Sequence, residues 1–265
     1  MEISLVILAA GKSSRFGGEP KMLSKVGPNS ETLFEISLMQ VTKYFNISHL
    51  YLVLGPHNEE EIKHAIDKMQ LSCFKKCMLT TVVQEKARGT AHALNTLSNL
   101  ILTPFILMNS DDLYGEETFK EFSEKIDKES NYVIGYPIGK TLPPKDPANR
   151  AFIQYNKEGK VTKLQEKLNL RRSFYSEGEL NTIIVSVNLF YLQPKIMGDL
   201  RRYVRDEYET TEEIMLPNMI NNMITNKTLE LKYILSKGDW QGVTYKEDVK
   251  SMRLSLKKSS KTFYV

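Results

Sequence analysis

Apolar residues follow two different spacings in the first half of the chain. Short runs such as 3–8 are almost wholly apolar, which is typical of strands buried on both faces. Between these runs apolar residues recur three or four positions apart, as Phe34, Leu38 and Val41 do, which predicts a helix with one buried face. The pattern predicts strands at 3–8, 50–54, 78–83 and 105–108, and helices at 31–45, 59–69, 90–101 and 116–126. Because strands and helices alternate, we expect a parallel sheet with helices on both faces.

The second half of the chain is richer in predicted strands. They lie at 131–138, 151–155, 161–165, 182–192 and 229–235, and helices are expected at 194–204, at 210–223 and from 245 onwards. Asn156 and Gly159 predict a turn that makes a hairpin of the second and third of these strands. The polar segment 169–179 is expected to be a loop, and Pro217 is expected to break or kink its helix. No segment resembles a linker or a repeat, so we predict one α/β domain over 1–265 with a Rossmann-like, mixed and mainly parallel central sheet.

The residues around the end of the first strand are suited to binding phosphate. The stretch 5–23 reads LVILAAGKSSRFGGEPKML, an apolar strand followed by glycines, serines and two cations. Glycine lets the backbone come close to a ligand, and backbone N–H groups turned into a loop attract anions. Arg15 can hold a phosphate with two hydrogen bonds, and Lys21 offers a compact charge. Neither a G-x-G-x-x-G fingerprint nor a P-loop is present, so an ordinary polar strand–helix loop remains the alternative.

Two other polar stretches follow predicted parallel strands and should lie at the same edge of the sheet. Gln84 carries both a donor and an acceptor, which match the edge of a pyrimidine such as uracil. Gly89 would let the chain pass against the base, and Thr90 is expected to cap the next helix; an ordinary strand–loop–helix join is the alternative. Asp111 and Asp112 form a carboxylate pair that needs a balancing cation, with Mg²⁺ the obvious choice; the alternative is that Asp111 or Asp112 caps the helix from Glu116 or makes a turn.

Composition narrows the classes of function. The 265 residues are 41% hydrophobic and 26% charged, enough to bury a sizeable core and unlike a disordered chain. A net charge of +4 suits anionic substrates and is too small to indicate a nucleic-acid partner. No apolar run reaches the ~18 residues of a membrane span, and the start of the chain lacks a basic region, so we expect a cytoplasmic protein without a membrane partner. Cys73 and Cys77 are expected to be reduced thiols rather than a metal or redox site.

Taken together, these motifs resemble the signature of the sugar-phosphate nucleotidyltransferases. The resemblance rests on Leu8-Ala9-Ala10-Gly11, on Ser14-Arg15 with Lys21, on the Gln84-x-x-x-x-Gly-Thr-Ala segment, and on Trp240–Asp248. Residues 14–18 look like a bacterial branch related to glucose-1-phosphate uridylyltransferases. The resemblance runs from Leu5 to Asp248 and implies a GT-A-like nucleotidyltransferase fold, with nucleotide bound by about 1–130 and sugar phosphate by about 131–265.

The resemblance also implies a reaction and a set of site residues. A sugar 1-phosphate would attack the α-phosphorus of a nucleoside triphosphate, UTP or dTTP, and release pyrophosphate with Mg²⁺ as cofactor. The implied nucleotide-binding residues are Leu8, Ala9, Ala10, Gly11, Ser13, Ser14, Gln84, Gly89 and Thr90. The implied sugar-phosphate ligands are Glu166, Lys167 and Asn188. The implied catalytic residues are Arg15 on the departing pyrophosphate, Lys21 on the α-phosphate, Asp111 on the metal and Lys167 on the attacking phosphate.

Two departures from the family pattern leave the reaction open. Leu168 stands where a proline usually follows the Glu-Lys pair. Gly242 stands where many members have a second metal aspartate. Either Asp239, the neighbouring carboxylate, replaces that ligand, or the metal is held by Asp111, phosphate and water alone. The alternatives are a CTP-dependent transferase for a non-sugar phosphomonoester such as phosphocholine, and a nucleotide-binding protein that has lost catalysis. A glycosyltransferase fits less well, because Asp111-Asp112 is not a D-x-D motif.

Overall fold

The computed structural model describes residues 2–69 and 77–259. Its strands are β1 (Ile3–Ala9), β2 (Ile47–Leu54), β3 (Met78–Val83), β4 (Phe105–Asn109), β5 (Asp112–Leu113), β6 (Asn131–Pro137), β7 (Ala148–Tyr155), β8 (Val161–Leu170), β9 (Ile184–Leu192), β10 (Leu231–Leu235) and β11 (Gln241–Gly242). Its α-helices are α1 (Leu33–Tyr44), α2 (Glu59–Lys68), α3 (Thr90–Asn95), α4 (Glu116–Lys125), α5 (Glu177–Thr182), α6 (Ile196–Glu207), α7 (Leu216–Thr225) and α8 (Lys246–Ser259). Cys73 lies outside the described residues, and Cys77 is a free, half-buried thiol.

One sheet contains strands from both halves of the chain. Its main row has the order β10-β6-β9-β4-β1-β2-β3, and β7 and β8 extend it from β9. Only β9 runs against its neighbours in this row, because it pairs antiparallel with both β4 and β6. The prediction of a mixed, mainly parallel sheet flanked by helices is therefore confirmed. None of the described helices is long and apolar enough to cross a membrane.

The central strand β1 is buried along its whole length and divides the core in two. Leu5 and Ile7 pack with α1, α2 and α4 on one face, while Val6 and Leu8 pack with α3, α6 and α7 on the other. Truncating a wholly buried leucine such as Leu5 to alanine typically costs about 2–5 kcal/mol. The same strand aligns Leu8 with Asn109 of β4, and Ser110 donates its N–H to the Leu8 carbonyl at 3.1 Å. This register brings the polar residues after β1 and β4 to one place.

Several predicted boundaries are wrong for identifiable reasons. The predicted loop 169–179 contains the start of α5, where Ser176 and Glu179 form a reciprocal cap that the sequence S-x-x-E signals. The helix predicted from 210 begins only at Leu216, so Pro217 lies in its first turn, where proline is tolerated and causes no kink. The helix predicted at 90–101 ends at Asn95.

The hairpin is confirmed, but β8 continues to Leu170 and so includes Glu166 and Lys167. Asn156 closes the turn by donating its N–H to Lys160 O at 2.9 Å, and Gly159 has a φ of 77°. Because β8 is longer than the predicted strand 161–165, the two residues after Gln165 lie within the strand.

A small second sheet attaches the C-terminal segment to the loop after β4. In it β11 pairs antiparallel with β5, with Gly242 opposite Asp112. Beside it, α8 packs through Met252 and Leu256 on a small core that includes Phe16. The loop after β1 is thus packed against helix α8 through Phe16.

Candidate active site

The loop after β1 is a tight turn with a buried anchor. Ser13 adopts a left-handed conformation with a φ of 49°, and its carbonyl accepts hydrogen bonds from Phe16 N at 2.9 Å and Gly18 N at 3.0 Å. Phe16 is buried, whereas the position that a Cβ of Gly11 would occupy has no atom within 4 Å. The loop is therefore held at Phe16 and presents open backbone at Gly11.

Asn58 fixes the end of β1 to the end of β2, a role that the sequence analysis did not assign. Its Nδ2 donates to Ala9 O at 2.9 Å, and its Oδ1 accepts from Gly55 N at 3.0 Å. His57 Nε2 lies 3.2 Å from Gly11 O. In the sequence, Asn58 is marked only by its place two residues after the Gly55-Pro56 pair, and its burial is seen in the folded chain alone.

A first cleft of about 590 Å³ opens beside this loop. All of the residues predicted to bind nucleotide line it, namely Leu8, Ala9, Ala10, Gly11, Ser13, Ser14, Gln84, Gly89 and Thr90. It also includes residues that the sequence analysis did not assign, among them Lys12, Asn58, Asn109, Glu213 and Met215. The structure thus brings together segments from the ends of three parallel strands, as expected from the rule for open α/β sheets.

The side chain of Gln84 is held in one orientation. Its Nε2 donates to Gly89 O at 3.1 Å and lies 2.9 Å from His92 Nδ1. A carbonyl can only accept, so the amide nitrogen must face Gly89, and His92 Nδ1 must accept the second N–H. Burial and, next, Arg88 lower the pKa of His92, which favours the neutral ring that this requires. Both amide hydrogens are therefore used within the protein, and the Gln84 carbonyl oxygen is left for a ligand.

Gly89 and Thr90 join the cleft to the segment between α6 and α7. Gly89 has a φ of 89°, and a Cβ there would lie 2.6 Å from Ile214 O. Thr90 does not cap its own helix as expected; its Oγ1 accepts from Leu216 N at 2.9 Å, at the start of α7. Arg88 donates to Thr211 O at 2.7 Å and lies outside the cleft lining. Gly89 is therefore needed for a close approach of backbone to backbone.

Lys21 and Asp111 form an ion pair where the first cleft meets a second one. Lys21 Nζ lies 2.8 Å from Asp111 Oδ2, with the side chains 15% and 33% exposed. The second cleft has a volume of about 720 Å³. The residues that line both clefts are Arg15, Lys21, Asn109, Asp111 and Asn188. Asn188 has a φ of 63°, a strained conformation for a strand residue and one that is often found at functional sites.

Asp112 is held inside the protein next to this border. Asn109 Nδ2 donates to Asp112 Oδ2 at 2.9 Å, and Tyr114, which is fully buried, lies 3.4 Å away through its hydroxyl. Burial and, second, the charge of Asp111 raise the pKa of Asp112 to about 7. Of the two neighbouring carboxylates, Asp111 is thus the one available to a ligand.

The residues after the hairpin turn divide between the second cleft and its surroundings. Neighbouring residues of a strand point to opposite faces, so Glu166 and Lys167 cannot both enter the cleft from the same face of β8. Glu166 lines the cleft, and burial raises its pKa to about 7 although Arg150 acts in the opposite direction. Lys167 lines neither cleft, and its ammonium lies 4.2 Å from the centroid of the Phe152 ring. The structure therefore supports Glu166 as a substrate ligand and gives no such support to Lys167.

The space expected to hold a second metal carboxylate is filled. A Cβ on Gly242 would lie 2.5 Å from Trp240 Cζ2 and 2.8 Å from Asp112 Oδ1. Asp239, the candidate substitute, lines neither cleft; its side chain is 81% exposed and pairs with Lys140 Nζ at 2.9 Å. The position of Asp239 therefore gives no support to a role as metal ligand.

The remaining donor set can still take Mg²⁺. No group of three or more His, Cys, Asp and Glu suited to a metal occurs among the residues that the structure describes. Mg²⁺ in nucleotide sites, however, commonly takes one or two carboxylates and completes its octahedron with phosphate oxygens and water. Asp111, half-buried at the border of both clefts, meets that requirement.

Comparison with known proteins agrees with this geometry. The family model described as nucleotidyl transferase matches residues 4–251. The chain belongs to the nucleotidyl transferase family. The chain is 23% identical over 250 residues to the bifunctional protein GlmU of Methanococcus maripaludis, covering 93% of this chain and 52% of that protein. It is 27% identical over 217 residues to GlmU of Francisella tularensis subsp. novicida, covering 81% of this chain and 44% of that protein. The chain thus spans about half the length of the curated relatives it matches.

Solved structures show the same fold at lower sequence identity. The inositol-1-phosphate CTP transferase from T. maritima superposes with a TM-score of 0.71 at 13% identity, covering 96% of each chain. A UDP-glucose pyrophosphorylase complexed with UDP-glucose gives a TM-score of 0.70 at 16% identity, covering 98% of this chain and 100% of that one. The expected GT-A-like nucleotidyltransferase fold is therefore confirmed.

Proposed function

We propose that this protein transfers a nucleotidyl group from a pyrimidine nucleoside triphosphate, UTP or dTTP, to a sugar 1-phosphate, with release of pyrophosphate. The observation that carries the proposal is the Lys21–Asp111 pair on the border of two clefts. One cleft has the phosphate loop and Gln84, and the other has the Glu166 carboxyl and the Arg150 guanidinium. Membership of the nucleotidyl transferase family supports the reaction class.

The first cleft is the proposed triphosphate site, and Gln84 supports the choice of base. With both amide hydrogens of Gln84 donated inside the protein, its oxygen accepts the N3–H of uracil or thymine. Cytosine carries an acceptor at N3 and meets that oxygen less well. The orientation of Gln84 thus favours UTP and dTTP over CTP.

Catalysis in this proposal comes from position and charge, without a protein nucleophile. The acceptor phosphate in the second cleft attacks the α-phosphorus at the border, and pyrophosphate leaves into the first cleft. Lys21 exchanges its contact with Asp111 for the α-phosphate, and Arg15 binds the departing pyrophosphate. Asp111 is then free to hold Mg²⁺, which when bound would neutralise phosphate charge.

Pyrophosphate release over a matrix of substrates tests the proposal. The enzyme is assayed with UTP, dTTP, CTP, ATP and GTP, each with Mg²⁺, against glucose 1-phosphate, other sugar 1-phosphates and phosphocholine. We expect release with UTP or dTTP and a sugar 1-phosphate. Release with phosphocholine alone, or nucleotide binding without release over the whole matrix, would contradict it.

Removing either member of the border pair should abolish the reaction. We expect Lys21→Ala and Asp111→Ala to lose pyrophosphate release while circular dichroism and thermal unfolding show an intact fold, because both side chains are partly exposed. Lys63→Ala is the matched control, since Lys63 pairs with Glu59 at 2.5 Å on the surface of α2, outside both clefts. Full activity in either border variant would refute the assigned roles.

A further inference from the structure

We propose that Arg150, rather than Lys167, binds the phosphate of the second substrate, and that this substrate is a hydroxylated phosphomonoester without a cationic head group. The inference rests on the proposed function and names the acceptor class for the second cleft.

Arg150 is held rigidly at the second cleft by neutral groups. Its Nη1 donates to Asn149 O at 2.7 Å, and its Nη2 donates to Thr141 O. The guanidinium lies 4.7 Å from the centroid of the Trp240 ring. A cation held in this way is pre-organised, so little freedom is lost when it binds an anion.

Three carboxyls, those of Asp112, Glu166 and Asp111, act on the charge of Arg150 without forming an ion pair with it. Arg150 forms no ion pair with any residue that the structure describes, whereas Lys21 pairs with Asp111 and Lys140 with Asp239. Its buried Nε has no hydrogen-bond partner there, and neither has the buried indole Nε1 of Trp240. Both residues line the second cleft. A guanidinium cannot shed its proton at ordinary pH, so an anion from the cleft is the partner that completes this site.

The surroundings of Arg150 define the rest of the acceptor. Glu166 lines the same cleft as a half-buried carboxyl, and no described residue donates a hydrogen bond to it or pairs with it. Such a group suits sugar or polyol hydroxyls, which can donate to it. The guanidinium already covers one face of the Trp240 ring, and its positive charge would repel a quaternary ammonium brought to the same ring. Phosphocholine is therefore disfavoured as acceptor.

Calorimetric titration of the full chain with glucose 1-phosphate, in the presence of Mg²⁺ and a non-hydrolysable UTP analogue, tests this inference. We expect Arg150→Gln to weaken glucose 1-phosphate binding at least tenfold, with Arg150→Lys in between. The UTP analogue should bind all variants within twofold of the wild type, since Arg150 does not line the first cleft. Lys163→Gln, an exposed lysine of the same hairpin, is the matched control and should bind like the wild type.

A second variant covers the case in which Arg150→Gln does not fold. Trp240→Phe keeps an aromatic ring under the guanidinium and removes the indole N–H together with the five-membered ring that carries it, so we expect a two- to fivefold loss of glucose 1-phosphate affinity. The inference is overturned if Arg150→Gln folds and binds glucose 1-phosphate normally, or if Lys167→Gln carries the loss instead. The inference is also overturned if the wild type binds phosphocholine as tightly as glucose 1-phosphate, or if it binds neither glucose 1-phosphate nor inorganic phosphate. Arg150-dependent binding without pyrophosphate release from any triphosphate would instead overturn the proposed function and leave this inference intact.

Discussion

Gly242 offers the sharpest test of how the site is built, because it replaces the second metal aspartate implied by the family pattern. A Cβ added there would lie 2.5 and 2.6 Å from two carbons of the Trp240 ring and 2.8 Å from Asp112 Oδ1. Carbon atoms normally pack at about 3.5–4.0 Å. The ring cannot move away freely, since Arg150 covers it. Even alanine should therefore be too large at this position.

The expected loss follows from these contacts. Overpacking of this kind costs about 1–3 kcal/mol, and we expect that range for Gly242→Ala. Gly242→Asp adds a carboxylate beside Asp112, and two charges about 4 Å apart cost roughly 4 kcal/mol more at an effective dielectric constant of about 20. With a urea m-value of about 3 kcal/mol/M, the unfolding midpoint should fall by about 0.3–1 M for alanine and by more than about 1 M for aspartate at pH 8.

Urea unfolding followed by circular dichroism measures these shifts, with Gly198→Ala as the matched control. A Cβ on Gly198 meets nothing within 4 Å, and in helix α6 the change should stabilise the protein by up to about 1 kcal/mol. An unchanged midpoint for Gly242→Ala would refute the claim that the space is filled. A stable Gly242→Asp protein with tighter Mg²⁺ binding would show that the position is open to a second metal carboxylate.

Two further predictions concern charge and base recognition. Burial raises the pKa of Glu166 to about 7 from an ordinary value of 4.5. The folded state therefore favours the protonated carboxyl, and the free energy of unfolding is highest below pH 4.5 and falls as the pH rises through 7. Glu166→Gln should therefore match the wild type at pH 4 and be about 3 kcal/mol more stable at pH 8 in urea unfolding; parallel pH profiles would contradict this. His92→Ala removes one of the two acceptors that orient the Gln84 amide, so the preference for UTP over CTP should fall several-fold in competition binding. An unchanged ratio would show that His92 does not set the orientation of Gln84.

The sequence predicted the first cleft better than the second for a physical reason. Gln84 and Asp111 follow parallel strands, and the carboxyl ends of such strands meet wherever the sheet forms. The family resemblance implies Lys167 as a ligand, but the length of β8 and the alternation of its side chains take Lys167 out of the cleft. Asp239 was named for its place beside Trp240, whereas Lys140, distant in the sequence, decides its contact.

Residues whose roles depend on tertiary contacts could not be predicted from the local sequence pattern. Arg150 follows a loop with three prolines, and only the start of β7 at Ala148 and the stacking on Trp240 give it a place in the site. Asn58 carries no motif, although it braces the end of β1. Register, side-chain direction and long-range pairing are properties of the folded sheet rather than of local spacing.

A crystal structure with Mg²⁺ and a non-hydrolysable UTP analogue tests the central claim most directly. The account predicts that the uracil N3–H donates to the Gln84 oxygen and that the phosphates lie along Gly11–Lys21. It also predicts that Lys21 leaves Asp111 to bind the α-phosphate and that the metal binds to Asp111. A triphosphate bound in the second cleft, or a metal bound away from Asp111, would contradict it.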